Sequence, residues 1–282
     1  MVSRAAVGHA LVSRGKPTPA RVVADPPSCV AGDRHDRIGR RKRQAVGGDE
    51  GMVFENREEA GHRLATKLQQ YRNHPDGLIL ALPRGGVAVG YAMSLDLHLP
   101  LDVFITRKIG APGNPEYALG ALSETGNIYL NPDAVVECRV SEADIEHLVK
   151  LQREEIHRRQ RLYRQGRQSL PLKNRLVILV DDGIATGATF FASVEAIRRQ
   201  YPRFLVGAVP VGPLETMDRV RAAVDELAVL TIPDQFWSVG GHYAEFAQVS
   251  DEEVVDYLKS AERALDEKQR GVSHHYGSSG TG

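Results

Sequence analysis

"LVILVDDGIATGATFFASVEAIRRQ", residues 176–200, sets two acids directly after an apolar run and follows them with a short loop rich in Gly and Thr. Leu176 to Val180 are branched aliphatics without polar alternation, the pattern of a strand covered on both faces. From about Ala188 to Gln200, Phe191, Val194 and Ile197 recur at helical spacing, and a basic turn precedes Pro202. The order is strand, loop, helix, and the strand reads as central and parallel.

In a parallel sheet, ligands sit beyond the carboxyl ends of the strands, where each following helix starts with unpaired backbone N–H groups. Ala185, Thr186, Gly187, Ala188 and Thr189 lie at such a helix start. Gly187 permits close backbone approach and the two threonines add hydroxyl donors. The helix terminus favours an anion by roughly 0.3–1 kcal/mol, so the loop is read as a phosphate cradle. Asp181 and Asp182 would repel a phosphate and need another task. Ribose hydroxyls fit, because hydrogen bonds to a carboxylate contribute about 1.5–3 kcal/mol each. Taken alone, the acids and loop are equally compatible with a plain cap and turn. A Walker loop is excluded, since no G-x-x-x-x-G-K-[ST] pattern occurs.

A second loop decides between these readings. Residues 77–97, "GLILALPRGGVAVGYAMSLDL", repeat the architecture: an apolar strand from Leu78 to Leu82, a turn of Pro83, Arg84, Gly85 and Gly86, then a helix. The glycines let N–H groups converge, and Arg84 adds a planar fork suited to phosphate oxygens. A third strand, residues 99–106, runs into Arg107 and Lys108 and then a stretch dense in Gly and Pro, read as a long irregular lid with cations at its base. A ligand with phosphate at two separated points and a sugar between them meets all three; 5-phosphoribosyl 1-pyrophosphate (PRPP) has that shape.

"VILVDDGIATGAT" resembles the signature of the type I phosphoribosyltransferases, and "LPRGGVAVG", "RKIGAPGNPEYALGA" and "FWSVGGHYAEFAQVSDEEV" extend the resemblance over residues 52–260, to a bacterial branch of that family. The resemblance implies an α/β fold with a Rossmann-like parallel sheet core, helices on both faces and a small hood. Asp181 and Asp182 would hold ribose hydroxyls, Ala185 to Thr189 the 5-phosphate, and Arg84, Gly85 and Gly86 the pyrophosphate, in a turn that often contains a cis peptide. Mg2+ would bridge pyrophosphate and ribose oxygens, with Asp181 and Asp182 meeting it through water and PRPP oxygens. Arg107 and Lys108 would neutralise the leaving pyrophosphate, so that Arg107, Lys108, Asp181 and Asp182 form the catalytic set. In the hypoxanthine-guanine enzymes an Asp precedes T-G in the loop; Ala185 stands there in this chain, which argues against a 6-oxopurine acceptor. Phe236 and Trp237 are the candidates to stack on the acceptor, whereas Tyr243 and Phe246 are assigned to packing.

The expected division is an N-terminal extension over 1–51, a phosphoribosyltransferase domain over 52–265 with its hood at about 52–75 and 232–260, and a disordered tail over 266–282. Residues 1–51 carry ten Lys or Arg against five acids and little apolar periodicity, so they are expected to be disordered, with Met52 as the natural start. Over the 282 residues Lys plus Arg and Asp plus Glu are both 36, and no global field points to nucleic acid or membrane. Two cysteines, Cys29 and Cys138, suit a reducing cytoplasm, and no apolar run approaches membrane-spanning length. Residues 141–168 read as a long helix started by Ser141 and Asp144, with an arginine-rich face of Arg158, Arg159, Arg161 and Arg164 that is solvated or a dimer contact in preference to an RNA-binding surface, which would favour a regulator. A homodimer is expected. The reading is thus a Mg2+-dependent, cytoplasmic transferase acting on PRPP and a small nitrogen acceptor, in nucleotide salvage. A protein that senses PRPP without turnover is the alternative.

Overall fold

The structure, a computed structural model, describes residues 54–275; the expected extension over 1–51 and its start at Met52 lie outside the described residues, as does the tail from 276. Its centre is a five-stranded, all-parallel sheet of β1 (Gly77–Ala81), β2 (Leu101–Val103), β6 (Leu176–Val180), β7 (Phe204–Val211) and β8 (Glu226–Thr231), in the order β2-β1-β6-β7-β8. β1 and β6 pair in register from Gly77 with Leu176 to Ala81 with Val180, and every residue of both is buried. The unbroken apolar runs exist because each strand is covered on two sides.

One face is covered by α1 (Arg57–Lys67) and α2 (Gly85–Leu97): Leu64, Leu68, Val89 and Met93 pack on Ile79, Ile178, Val206 and Ala208. The other face is covered by α5 (Ala188–Arg198) and α6 (Leu214–Ala223), with Phe190, Val194, Ile197, Met217 and Val220 on Leu78, Leu80, Val177, Leu179 and Leu205. Each fully buried aliphatic contributes about 1.5–3 kcal/mol. The period of two along β1 sends Leu78 and Leu80 to one face and Ile79 to the other. Residues 54–68 were expected in the hood; α1 instead belongs to the central core, because Leu64, Ala65 and Leu68 are wholly buried against sheet and α2.

Where an irregular lid was expected, the chain forms β3 (Thr106–Ala111) and β4 (Asn114–Ser123), an antiparallel hairpin joined by β5 (Ile128–Leu130) into a second sheet. Pro112 and Gly113 are the turn: Gly113 has φ +77°, and Pro112 fixes the residue before it. A short helix α3 (Pro132–Glu137) follows, then α4 (Glu142–Arg164), opened by a capping box in which Ser141 Oγ accepts from Asp144 N and Asp144 accepts from Ser141 N. The helix expected over 141–168 ends at Arg164, where Gln165 turns into the left-handed region at φ +48°. The Arg164 guanidinium is buried and forks onto Glu124 (3.0 and 2.9 Å), meets Asp102 at 3.3 Å and donates to Val103 O at 2.7 Å. It thereby ties α4 to β2 and to the end of β4.

The last helix, α7 (Asp251–His275), packs Val254, Val255 and Leu258 on α2 and α4. The tail expected to be disordered from 266 is helical as far as His275. Leu265 to Arg270 are mostly strong helix formers and prolong an amphipathic helix already anchored by its apolar stripe.

Candidate active site

The two acids stand where β6 leaves the sheet. Asp181 N still reaches Ala208 O of β7 at 3.4 Å, and Asp182 N donates to Asp181 Oδ1 at 2.9 Å. Gly183 follows at φ +155°, where a Cβ would meet Val239 Cγ1 at 2.5 Å, and Ile184 N rejoins Val211 O at 2.9 Å. The acids therefore sit under the segment 233–249.

The turn Pro83–Gly86 closes on them from β1. Leu82 N donates to Val180 O at 2.9 Å, the Pro83–Arg84 peptide is cis, and α2 starts at Gly85. A Cβ on Gly85 would overlap the Asp182 carboxylate; one on Gly86 would lie 2.9 Å from Val180 O and 3.0 Å from Asp181 Cα. Only glycine lets backbone and acids meet in this way. The two loops singled out in the sequence thus form one site across the adjacent strands β1 and β6.

Two residues missed by sequence reasoning complete it. Arg57, the first residue of α1, gives Nε to Asp182 Oδ2 at 2.7 Å and NH1 to Ala247 O at 2.8 Å, with its guanidinium 3.8 Å from the Phe246 ring centre. Tyr243, assigned to packing, does pack on Phe54 and Phe246, but its hydroxyl also donates to Asp182 O at 2.6 Å. A signal for Arg57 was present: it is a base in a helix first turn, where the positive end of the helix dipole favours acids. Here the facing carboxylate offsets that cost.

Burial pushes the Asp181 carboxyl well above the usual carboxylate range, and the neighbouring Asp182 charge pushes the same way. Asp182 is also raised by burial, although Arg57 pulls against it; its side chain is only 16% exposed. Burial pushes the Tyr243 phenol up, aided by the Asp182 charge, which keeps it a donor. Two carboxyls in one poorly solvated place cannot both ionise freely. The pair is relieved by whatever brings hydroxyl donors or positive charge.

The cradle loop lies beside the acids. Ala185 and Thr186 are exposed, Gly187 caps α5 at φ +80°, and Ala188 and Thr189 open the helix. A Cβ on Gly187 would press on Phe191, and Thr216 Oγ1 donates to Ala185 O at 2.8 Å, so the loop is held from behind while its front stays open. Ser193, bonded to Thr189 O and within 2.8 Å of Thr106 Oγ1, ties the first turn of α5 to the base of the hairpin.

Arg107 and Lys108 lie on β3 itself. Arg107 Nε donates to Gln152 Oε1 of α4 at 3.1 Å, and burial followed by the nearby Arg159 charge lowers its pKa. Arg84 is half-buried, and its charge acts on Tyr163, whose hydroxyl donates to Asp251 at 2.5 Å. Phe236 is half-buried, stacks on His242 at 5.7 Å and borders a cavity of about 780 Å3 that also touches Leu214, Leu230 and Asp234. Trp237 is 89% exposed and joins none of these contacts. Among the described residues, no group of three or more His, Cys, Asp or Glu could hold a metal ion. Two carboxylates at Asp181 and Asp182 nevertheless fit Mg2+, which keeps several waters and is commonly held by one or two acids together with ligand phosphates.

The phosphoribosyl transferase domain model matches residues 52–245. Two strain forms of one Mycobacterium tuberculosis protein, named "Putative phosphoribosyl transferase Rv0571c" and "Putative phosphoribosyl transferase MT0597", are each 40% identical over 211 residues. Those residues are 75% of this chain and 47% of the relative, so the chain spans about half the length of the curated relatives it matches. The crystal structure of TT1426 from Thermus thermophilus is similar with 38% identity and a TM-score of 0.62, over 74% of this chain and 99% of that one.

Proposed function

Because this chain belongs to the phosphoribosyl transferase domain family, we propose that it transfers ribose 5-phosphate from PRPP to a nitrogen of a small acceptor, releasing pyrophosphate. The observation that carries the reading is the closure of the Gly85–Gly86 turn onto the Asp181–Asp182 pair, which sets a donor-rich turn and two hydroxyl-seeking acids in contact.

In this reading the C1–O bond to pyrophosphate breaks as a C1–N bond forms, and the acceptor nitrogen loses a proton. Asp181 and Asp182 accept from the ribose hydroxyls and fix the ring. The backbone of Ala185 to Thr189 and the hydroxyls of Thr186 and Thr189 hold the 5-phosphate. Arg84 and the N–H groups of Gly85 and Gly86 take the pyrophosphate. Arg107 and Lys108 neutralise its growing charge. Asp181 and Asp182 would meet Mg2+ through water and ligand oxygens, and the ion would supply neutralisation of the pyrophosphate. Tyr243 and Arg57 fix Asp182 before the ligand arrives, which lowers the ordering left for the reaction. Phe236 is the better of the two stacking candidates, since it borders a cavity. Ala185 supports an acceptor other than a 6-oxopurine.

The sensing alternative needs a surface for a macromolecular partner, and the arginine-rich face of α4 was its best candidate. Arg158 and Arg159 are engaged by Glu155, Arg158 also by Asp251, and Arg164 is buried, so that of the four arginines only Arg161 stays exposed outside these pairs. We therefore favour turnover. The test is pyrophosphate release from PRPP and Mg2+ with adenine, uracil, guanine, hypoxanthine, xanthine, orotate or nicotinate, with Asp182→Asn as control. Release with one non-6-oxopurine acceptor, lost in the control, is expected. PRPP binding without release for any acceptor would overturn the transferase reading on this panel and favour the sensor.

A further inference from the structure

The strands that carry the acids and the glycine turn at one end meet a second cavity at the other. It has a volume of about 530 Å3 and is lined by His74, His98, Arg175, Leu265 and Lys268 among others. These come from four separate segments: the connector before β1, the C-cap of α2, the residue before β6, and the distal part of α7. β1, five residues long, separates the two ends by about 17 Å at a rise of about 3.3 Å per residue.

The charges around this cavity are poorly matched. His98 Nδ1 lies 3.2 Å from Arg72 Nε and 3.1 Å from Asn73 Oδ1, so it accepts in the first contact and donates in the second according to its tautomer. Arg175 donates only to backbone, to Asp76 O at 3.3 Å and Gly77 O at 3.4 Å. Of the acids nearby, Asp76 lies 3.5 Å from Arg203 and Asp96 is paired with His62. Among the described residues, no carboxylate lies within ion-pair distance of Arg72, Arg175 or Lys268. Burial lowers the His98 pKa, and Lys268 and Arg72 lower it further against an opposing Asp96; Lys268 is itself lowered by burial and by Arg72. Cations gathered from distant parts of the chain without acids between them repel one another until an anion enters.

We propose that this cavity is a second anion site, for a small molecule bearing more than one phosphate. The Arg175 guanidinium, the Lys268 ammonium and the His98 imidazole line the cavity, with Arg72 beside His98 at its edge; such groups suit phosphate oxygens, and three cations without carboxylate partners suit a multiply charged ligand. Leu265 supplies an apolar wall for whatever the phosphates are attached to. The site does not rest on the transferase reading, since none of its residues belongs to the acids, the glycine turn or the cradle.

The test is imidazole NMR of the full chain, with His74 and His98 signals identified by His→Gln variants and sodium tripolyphosphate as probe in magnesium-free buffer. The His98 signal is expected to move saturably and its titration midpoint to rise, because a bound anion favours the imidazolium. Arg72→Glu combined with Lys268→Glu should weaken half-saturation at least about tenfold, a difference of about 1.4 kcal/mol, while the thermal midpoint and PRPP turnover stay unchanged. The milder pair Arg72→Gln and Lys268→Gln, in which no charge is reversed, should weaken it in the same direction. Lack of any movement at His74 and His98 up to about 10 mM probe would overturn the proposal. So would equal half-saturation in the wild type and in both variant pairs.

Discussion

Around Asp181 and Asp182 the chain leaves no spare room: a methyl on Gly85 would overlap a carboxylate, a Cβ on Gly183 would strike Val239, and Arg57 and Tyr243 pin Asp182 from two further directions. A few residues away, the stretch from Pro233 to Ser238 is loose by comparison. Trp237 stands 89% exposed, Phe236 lies on His242 beside an open cavity, and the stretch holds no helix or strand. The contrast separates two tasks. In the proposed reaction a fixed backbone and fixed acids suit PRPP, whereas a rim of adjustable side chains suits the acceptor.

Asp181→Asn breaks the tight region with the largest effect. The amide keeps an oxygen to accept from Asp182 N but removes the charge, and turnover should fall by at least about 100-fold, on the order of 3 kcal/mol. Stability should change in the opposite sense. Burial raises the Asp181 pKa, so the folded chain holds this proton more tightly than the unfolded chain does. Below about pH 4 both states are protonated and the wild type loses nothing; as the pH rises through the folded-state value that contribution disappears. At pH 7 the Asn variant should therefore melt higher, by roughly 2–4 °C for each kcal/mol gained, and the gap should close in acid. Calorimetric melting at pH 4 and pH 7 checks this. A lower melting temperature at pH 7 would mean that Asp181 is not under the strain its burial implies.

The loose region sharpens the comparison with smaller effects. Phe236→Ala should raise KM for the acceptor severalfold while leaving that for PRPP unchanged, and should lower stability modestly because the His242 stack is lost. Trp237→Ala should leave the melting temperature within error, since surface substitutions away from contacts usually stay within about 0.5 kcal/mol. Steady-state kinetics on both variants, with melting as control, would refute the assignment of Phe236 if PRPP saturation moved instead of the acceptor's.

The same contrast explains what was readable from the residues. β1, β6 and their two loops were legible because a strand covered on both faces must be uniformly apolar, and a backbone that touches carboxylates must be glycine. The 106–123 hairpin was not, because Gly110, Pro112, Gly113 and Pro115 read as loop composition. In fact Pro112 and Gly113 make the turn, and a Cβ on Gly110 would strike the Pro115 backbone across it. Nor was the membership of α1 in the core, or the reach of Arg57 to Asp182 across 125 residues of sequence: a base in a helix first turn marks Arg57 as unusual, but nothing local names its partner. Tyr243 was half legible: its ring packs as expected, but the hydroxyl's task depends on a carbonyl 61 residues away.

The central claim is that the glycine turn after β1 and the acids after β6 form one PRPP site. It is tested most directly by calorimetric titration of PRPP with Mg2+ into the wild type and Gly85→Ala, with circular dichroism to establish that both are folded. The account predicts saturable binding to the wild type and at least about 100-fold weaker binding to the variant, a loss of about 2.7 kcal/mol, because the added methyl drives the turn off the Asp182 carboxylate. Equal affinity in the two folded proteins, or no PRPP binding by the wild type, would contradict it.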